Sequence, residues 1–318
     1  MADRIGNAAD NFLGMGPTLR FGYQLTGPGE AAPVEVAQRA EQLGFDVVLA
    51  SDHVGPGGSP IVTLSAIAQA TKHIRLGTFV LNNDMRNPVQ LAWEAATIDR
   101  LSNGRFELGL GAGHTPHEYA ATGAVFSPPA ARKARLMESI EVIRHLLDGE
   151  QTTFHGTYLH VDAAQIDPAR QARLPILVGG NGTALLEYAG RHCDIVGLQG
   201  LGRTRADGHR HGVKWDPAWL DAQIAQVHAG ATDRTAPPEL NALVQIVEIT
   251  EHRMSALAAI CERIEGLSLE DAAQTPYLLV GTVDEIVEQL HRYRDRWGIS
   301  YFVVRSLENF APVLAAAR

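Results

Sequence analysis

Phe106–His114 reads FELGLGAGH, and Pro175–Thr183 reads PILVGGNGT. In each, an apolar run suited to a buried strand ends in a cluster of glycines. Backbone N–H groups at such a strand end are not shielded by side chains, and amides gathered there hold anions such as phosphate. The same residues also suit a plain tight turn. Two such turns in one chain favour a phosphorylated cofactor held from two sides, by Gly111–Gly113 on one and by Gly179, Gly180 and Gly182 on the other. Thr183 is placed to cap the helix that follows, whose free amides and dipole favour the same charge.

Outward from these turns, short apolar strands alternate with longer amphipathic helices, the pattern of a parallel sheet with helical crossovers. Strands are expected at Phe21–Leu25, Asp46–Ser51, Ile74–Leu81, Arg105–Leu110, Ile176–Val178, Asp194–Leu198, Leu240–Thr250 and Tyr301–Val304. Helices are expected at Pro33–Leu43, Ser59–Thr71, from Pro88 to a stop at Ser102-Asn103-Gly104, and at Ala131–Leu147, Thr183–His192 and Pro217–Ala229. Two more helices flank Tyr277–Val280. Gln151–Asp162 alternates around His155-Gly156 and reads as an inserted β-hairpin. Leu201–Lys214, rich in Gly, Arg and His, reads as a long loop. Eight strand–helix units in 318 residues fit an α/β fold, a (β/α)8 TIM barrel with insertions. A doubly wound sheet fits less well. The first glycine turn reads G-x-G-x-G, not the dinucleotide fingerprint G-x-G-x-x-G opening into a helix, and Pro116 follows it with no helix expected at once.

Composition narrows the function classes. The chain is 45% apolar with a formal net charge of −9 and no basic tract, which argues against nucleic acid as a partner. Its apolar runs are too short for the roughly 20 residues that cross a bilayer. The N-terminus lacks a secretory h-region. Residues 1–18 read as a loose leader and 19–318 as one domain, with no repeat or low-complexity linker between them. Cys193 and Cys261 lie far apart, as expected of reduced thiols in a cytoplasmic protein.

In a barrel the loops after the strands share one face, and active sites sit there. Asp52 and His53, then Asn82, Asn83 and Asp84, then His114, His117 and Glu118, then Asn181 and Thr183 all fall on that face. His53 suits acid–base work, since histidine titrates near neutrality, with Asp52 as its orienting neighbour. Neighbouring side chains on a strand point opposite ways, so Asp52 serves equally as a cap and His53 as a backbone-satisfied residue. His114, His117 and Glu118 have a metal-like spacing, but Pro116 argues against the regular helix that zinc sites favour, which leaves pocket lining. His209 and His211, beside Arg203, Arg205, Arg210 and Lys214, suit a solvated lid or an anion-reaching loop.

The order SDH (51–53), LGTFVLNND with RNP (76–88), DRLSNGRFELGLGAG (99–113), PILVGGNGT and the C-terminal LVGT…GISYFVV…FAP (279–312) resembles the bacterial luciferase-like flavin and deazaflavin oxidoreductases. The likeness is greatest to the actinobacterial branch that depends on coenzyme F420. The resemblance implies a (β/α)8 barrel whose third strand carries a non-proline cis peptide supporting the cofactor ring, here at Phe79–Val80. It implies that Ala112, Gly113, Gly179, Gly180, Asn181 and Gly182 contact the cofactor, with Gly197 and Leu198 as a further backbone contact. His53 falls on the family's active-site histidine. In relatives that oxidise sugar phosphates, the position of His114 carries a glutamate that moves the proton. The histidine here departs from that pattern, and no evident Lys and Arg set for a substrate phosphate stands on the strand ends.

Three functions compete. The first is hydride transfer between F420 and a small organic substrate at a C=C, C=N or carbinol carbon, with His53 or His114 handling the proton. The second is an FMN-dependent monooxygenase, and the third a non-catalytic partner subunit. The segments 84–87, 114–123 and 201–214 are expected to shape the substrate pocket, and the resemblance implies a homodimer.

Overall fold

The computed structural model describes residues 17–25, 32–55, 58–204 and 211–318. Eight parallel strands form a closed barrel: β1 (Arg20–Leu25), β2 (Val47–Ala50), β3 (Arg75–Thr78, resumed at Leu81–Asn82), β4 (Phe106–Gly111), β5 (Ile176–Gly179), β6 (Ile195–Leu198), β7 (Glu239–Leu243) and β8 (Ile299–Val304). The strands neighbour one another in chain order, and β8 returns to β1 with Arg20 opposite Tyr301. This is the (β/α)8 barrel expected from the strand–helix alternation.

The helices lie outside. α1 (Pro33–Leu43), α2 (Pro60–Ala70), α3 (Pro88–Leu101), α4 (Pro116–Thr122), α5 (Pro129–Leu147), α6 (Thr183–His192) and α7 (Pro217–Gly230) are followed by α8 (Arg253–Arg263), α9 (Leu269–Gln274), α10 (Val283–Trp297) and α11 (Leu307–Ala316). Six of them begin with a proline in the first turn, where its missing N–H costs no hydrogen bond. Among the described residues no helix is long and apolar enough to cross a membrane.

Alternation along the strands divides the core in two. Val47, Leu49, Phe79, Leu177, Ile195, Leu243, Tyr301 and Val303 fill the barrel interior, while the opposite faces pack against the helices. The N-terminal end of the barrel is closed by ions instead. Glu107 accepts from Arg20 Nη2 and Arg75 Nε, both at 2.5 Å, and Arg20 also pairs with Glu239 and covers the Tyr301 ring.

Several expected elements differ. Pro116 starts a helix instead of preventing one, because proline at the first helical position is compatible with the turn. The run 240–250 divides: β7 ends at Leu243, and Ile246–Ile249 leaves the barrel to pair in parallel with Leu278–Gly281. The ends of the expected 201–214 loop form an antiparallel hairpin, Leu201–Thr204 with His211–Val213. Residues 205–210 of that loop, including His209, and residues 1–16 of the expected leader lie outside the described residues. The expected hairpin in 151–162 is present as Thr152–His155 and His160–Ala164.

Candidate active site

A cavity of about 890 Å³ opens at the C-terminal ends of the strands. Its back wall is the break in β3, where the Phe79–Val80 peptide is cis, at the bond implied by the family resemblance. The break is stitched from both sides. Thr78 Oγ1 donates to the Gly109 carbonyl at 2.9 Å and accepts the Gly109 N–H at 2.8 Å, and Gln24 Nε2 donates to the Phe79 carbonyl at 3.2 Å. Val80 Cγ2 lies 2.7 Å from where a Cβ on Gly111 would stand, so any side chain at Gly111 would push this wall out of place. Gly111 therefore makes room for Val80 as well as ending a strand.

The two glycine turns face the same cavity, through Gly111–His114 and Gly179–Asn181. Gly182, with φ at 94°, is the N-cap of α6. Thr183 is not the cap: it is the first helical residue, it is exposed and it does not line the cavity. Beside this turn stands Lys133 of α5, which the sequence reading missed. Its Nζ lies 2.7 Å from the place a Gly182 Cβ would take. Burial, with Arg132 adjacent, pushes the ammonium below its ordinary pKa, and among the described residues no carboxylate pairs with it. Arg132 is buried, donates to the Gly113 carbonyl at 3.2 Å and lies over the Phe126 ring, so it braces the other glycine turn.

At the end of β2, His53 Nδ1 is 2.7 Å from Glu118 Oε1. The Glu118 side chain is 8% exposed and the His53 side chain 59%. A buried carboxylate thus anchors one ring nitrogen of a histidine that faces the open cavity. The first turn of α4 supplies Glu118, which is why the misread Pro116 hid this pairing. His114 also lines the cavity, its ring centroid 6.0 Å from that of His53 in an edge-on arrangement.

Asp52 does not orient His53. Its Oδ1 accepts from Arg86 at 2.8 Å and its Oδ2 from the Asn82 N–H at 2.9 Å, tying the end of β2 to the loop after β3. Asp52 and Asn82 still line the cavity. Asn83 does not, because the 3-10 turn Asn83–Met85 buries it. His117 is exposed on α4, away from the lining. Gly197 and Leu198 remain inside β6, and the cavity takes the next two residues, Gln199 and Gly200. Trp219 and Gln223 of α7, with Gln24, Gln245 and Arg305, are among the lining residues that the sequence did not point to. Two basic side chains that the sequence did not point to line the cavity, Arg305 just beyond β8 and Lys133 on α5.

The site thus joins a cis-peptide wall, two amide-rich turns and a carboxylate-anchored histidine at the mouth of a closed barrel. Residues 17–300 match the luciferase-like monooxygenase family. The chain belongs to that family. It is 36% identical over 312 residues to an F420-dependent glucose-6-phosphate dehydrogenase of Amycolatopsis mediterranei, covering 90% of this chain and 92% of that one. Among solved structures, it is similar to an F420-dependent secondary alcohol dehydrogenase in complex with an F420-acetone adduct, with a TM-score of 0.74, 21% identity and coverage of 95% and 100%. It is likewise similar to the coenzyme F420 dependent tetrahydromethanopterin reductase of Methanopyrus kandleri, with a TM-score of 0.71, 19% identity and coverage of 94% and 97%.

Proposed function

We propose that this protein transfers hydride between coenzyme F420 and a small organic substrate. The observation that carries the reading is that one cavity is lined by two kinds of group. The Gly111–Gly113 and Gly179–Asn181 turns and Lys133 offer backbone amides and a cation to a phosphorylated tail. His53 and Glu118 add a proton-handling pair. The names of the relatives supply the cofactor.

The residues fit that group. The Lys133 ammonium stands beside the Gly182 turn, and the Phe79–Val80 wall gives a flat ring an apolar backing. F420, when bound, supplies the carbon that gives or receives hydride. The chain orients that carbon against the substrate and excludes water. Glu118 accepts the Nδ1–H of His53, which fixes the tautomer and leaves Nε2 free to take a proton from a substrate hydroxyl or return one to a carbonyl or imine. His114, edge-on to His53, is placed to hold the substrate polar atom or to share that proton.

Lys133→Met is expected to raise the F420 dissociation constant by about tenfold or more, since a hydrogen bond to a charged group contributes about 1.5–3 kcal/mol. A fluorescence titration measures it, and the loss should shrink as salt is raised. We also infer a cytoplasmic location, which the free thiols Cys193 and Cys261 support, and a homodimer, which light scattering tests.

The function is tested by following deazaflavin absorbance without oxygen. The panel holds glucose 6-phosphate, secondary alcohols, enones and cyclic imines, each paired with the matching redox state of F420. Turnover of at least one member is expected. Turnover only with FMN and oxygen would replace this reading with the monooxygenase one.

A further inference from the structure

Gln24 lies on β1, Gln245 just beyond β7 and Arg305 just beyond β8, and these three strands are consecutive around the barrel. β2, which leads into His53, adjoins β1 on the other side. The glycine turns and their cation, Lys133, belong to β4, β5 and α5. Arg305 is therefore a second cationic pole of the cavity, at the β7–β8–β1 side and away from the proposed cofactor tail.

The partners of Arg305 are unusual for a guanidinium. Its Nε donates to Gln24 Oε1 at 2.8 Å and its Nη1 to Gln245 Oε1 at 3.2 Å. Both acceptors are neutral amide oxygens. Nη2 has no partner, and no carboxylate pairs with the group, among the described residues. On the same rim Arg86 is neutralised by Asp52. The Gln24 amide cannot turn over freely, because its Nε2 is already committed to the Phe79 carbonyl. Its oxygen is thus fixed toward Arg305, and the guanidinium is held to the cavity wall with donors to spare. A fork of N–H donors held in place with its charge unmatched is the arrangement that binds a planar or tetrahedral oxyanion.

We propose that Arg305, positioned by Gln24 and Gln245, binds an oxyanion group of the substrate, a carboxylate or a phosphate. This rests on the cavity being the active site and adds a substrate class to that reading. The substrate then spans from Arg305 to His53, with its charged end on β8 and its reacting carbon turned toward the cofactor side. Neutral alcohols and ketones lacking such an end lose that contact.

Calorimetric titration of the F420-loaded protein tests it with two matched pairs, glucose 6-phosphate against glucose and levulinate against 2-pentanone. At least one anionic member should bind tenfold or more tightly than its neutral partner, and which one does so separates phosphate from carboxylate. Arg305→Met should erase that preference, Arg305→Lys should restore part of it, and both should leave the F420 fluorescence titration within about twofold. Equal binding of charged and neutral probes by the parent protein, or a preference that survives Arg305→Met, would overturn the proposal. If F420 fails to bind, the same pairs are titrated into the cofactor-free protein. An Arg305-dependent preference there keeps the anion site and removes only the cofactor reading.

Discussion

His53→Ala is expected to lower turnover by about two to four orders of magnitude, the usual contribution of a positioned acid–base group, while F420 binding changes by no more than about threefold. The split follows from the geometry. His53 follows β2, whereas the glycine turns and Lys133 belong to β4, β5 and α5, so its removal leaves the groups proposed to hold the tail in place. Glu118→Gln is expected to fall between the parent and His53→Ala. The amide oxygen still accepts from Nδ1, at 2.7 Å in the parent, but the negative charge that stabilises the protonated ring is gone. Single-turnover measurements under deazaflavin absorbance separate these effects from product release. Unchanged turnover in His53→Ala would move the proton role to His114 or to solvent.

Glu107→Gln is expected to cost stability of about 3–5 kcal/mol, because it removes one partner of a buried ion network and leaves the other charges uncompensated. Glu107 is buried between Arg20 and Arg75. Burial alone would push its carboxyl up, but the two guanidiniums and their hydrogen bonds more than reverse that and hold it below the ordinary carboxylate range. A depressed carboxylate stabilises the fold above its unfolded pKa of about 4.3 and loses that contribution as pH falls through the folded value. Glu239 runs the other way. Burial, together with the Glu107 charge, raises its pKa despite Arg20, so protonating it on acidification favours the fold. The Glu107 contribution therefore drives the acid-side loss. Urea unfolding followed from neutral pH to about pH 3 should show the parent losing stability once the pH passes below about 4.3, and Glu107→Gln starting lower and losing less.

The strand-to-glycine runs made the barrel legible from sequence, because both strand ends and both turns are local features. So were the helix starts at Pro33, Pro88 and Pro217, since proline in a first turn is visible one residue at a time. What escaped depends on chain segments that meet only in the folded barrel. Glu118 reaches His53 from 65 positions away, and its helix was obscured by reading Pro116 as a breaker. Asp52, adjacent to His53 in sequence, points to Arg86 and the Asn82 amide instead, as alternation along an extended chain allows. Lys133 and Arg305 come from a helix and from the end of the last strand, and nothing local marks either as facing a cavity. Asn82 and Asn83 are identical in type, yet a 3-10 turn puts one on the wall and the other beneath it. Gly111 had a second purpose, space for Val80, that no turn rule reveals.

Equilibrium titration of the purified protein with F420 and, separately, with FMN, followed by fluorescence, distinguishes the two cofactors at this site. Saturable binding of one F420 per chain in the micromolar range is predicted, weakened in Lys133→Met and preserved in His53→Ala, with FMN bound more weakly. Absence of F420 binding, or FMN binding more tightly than F420, would contradict the account.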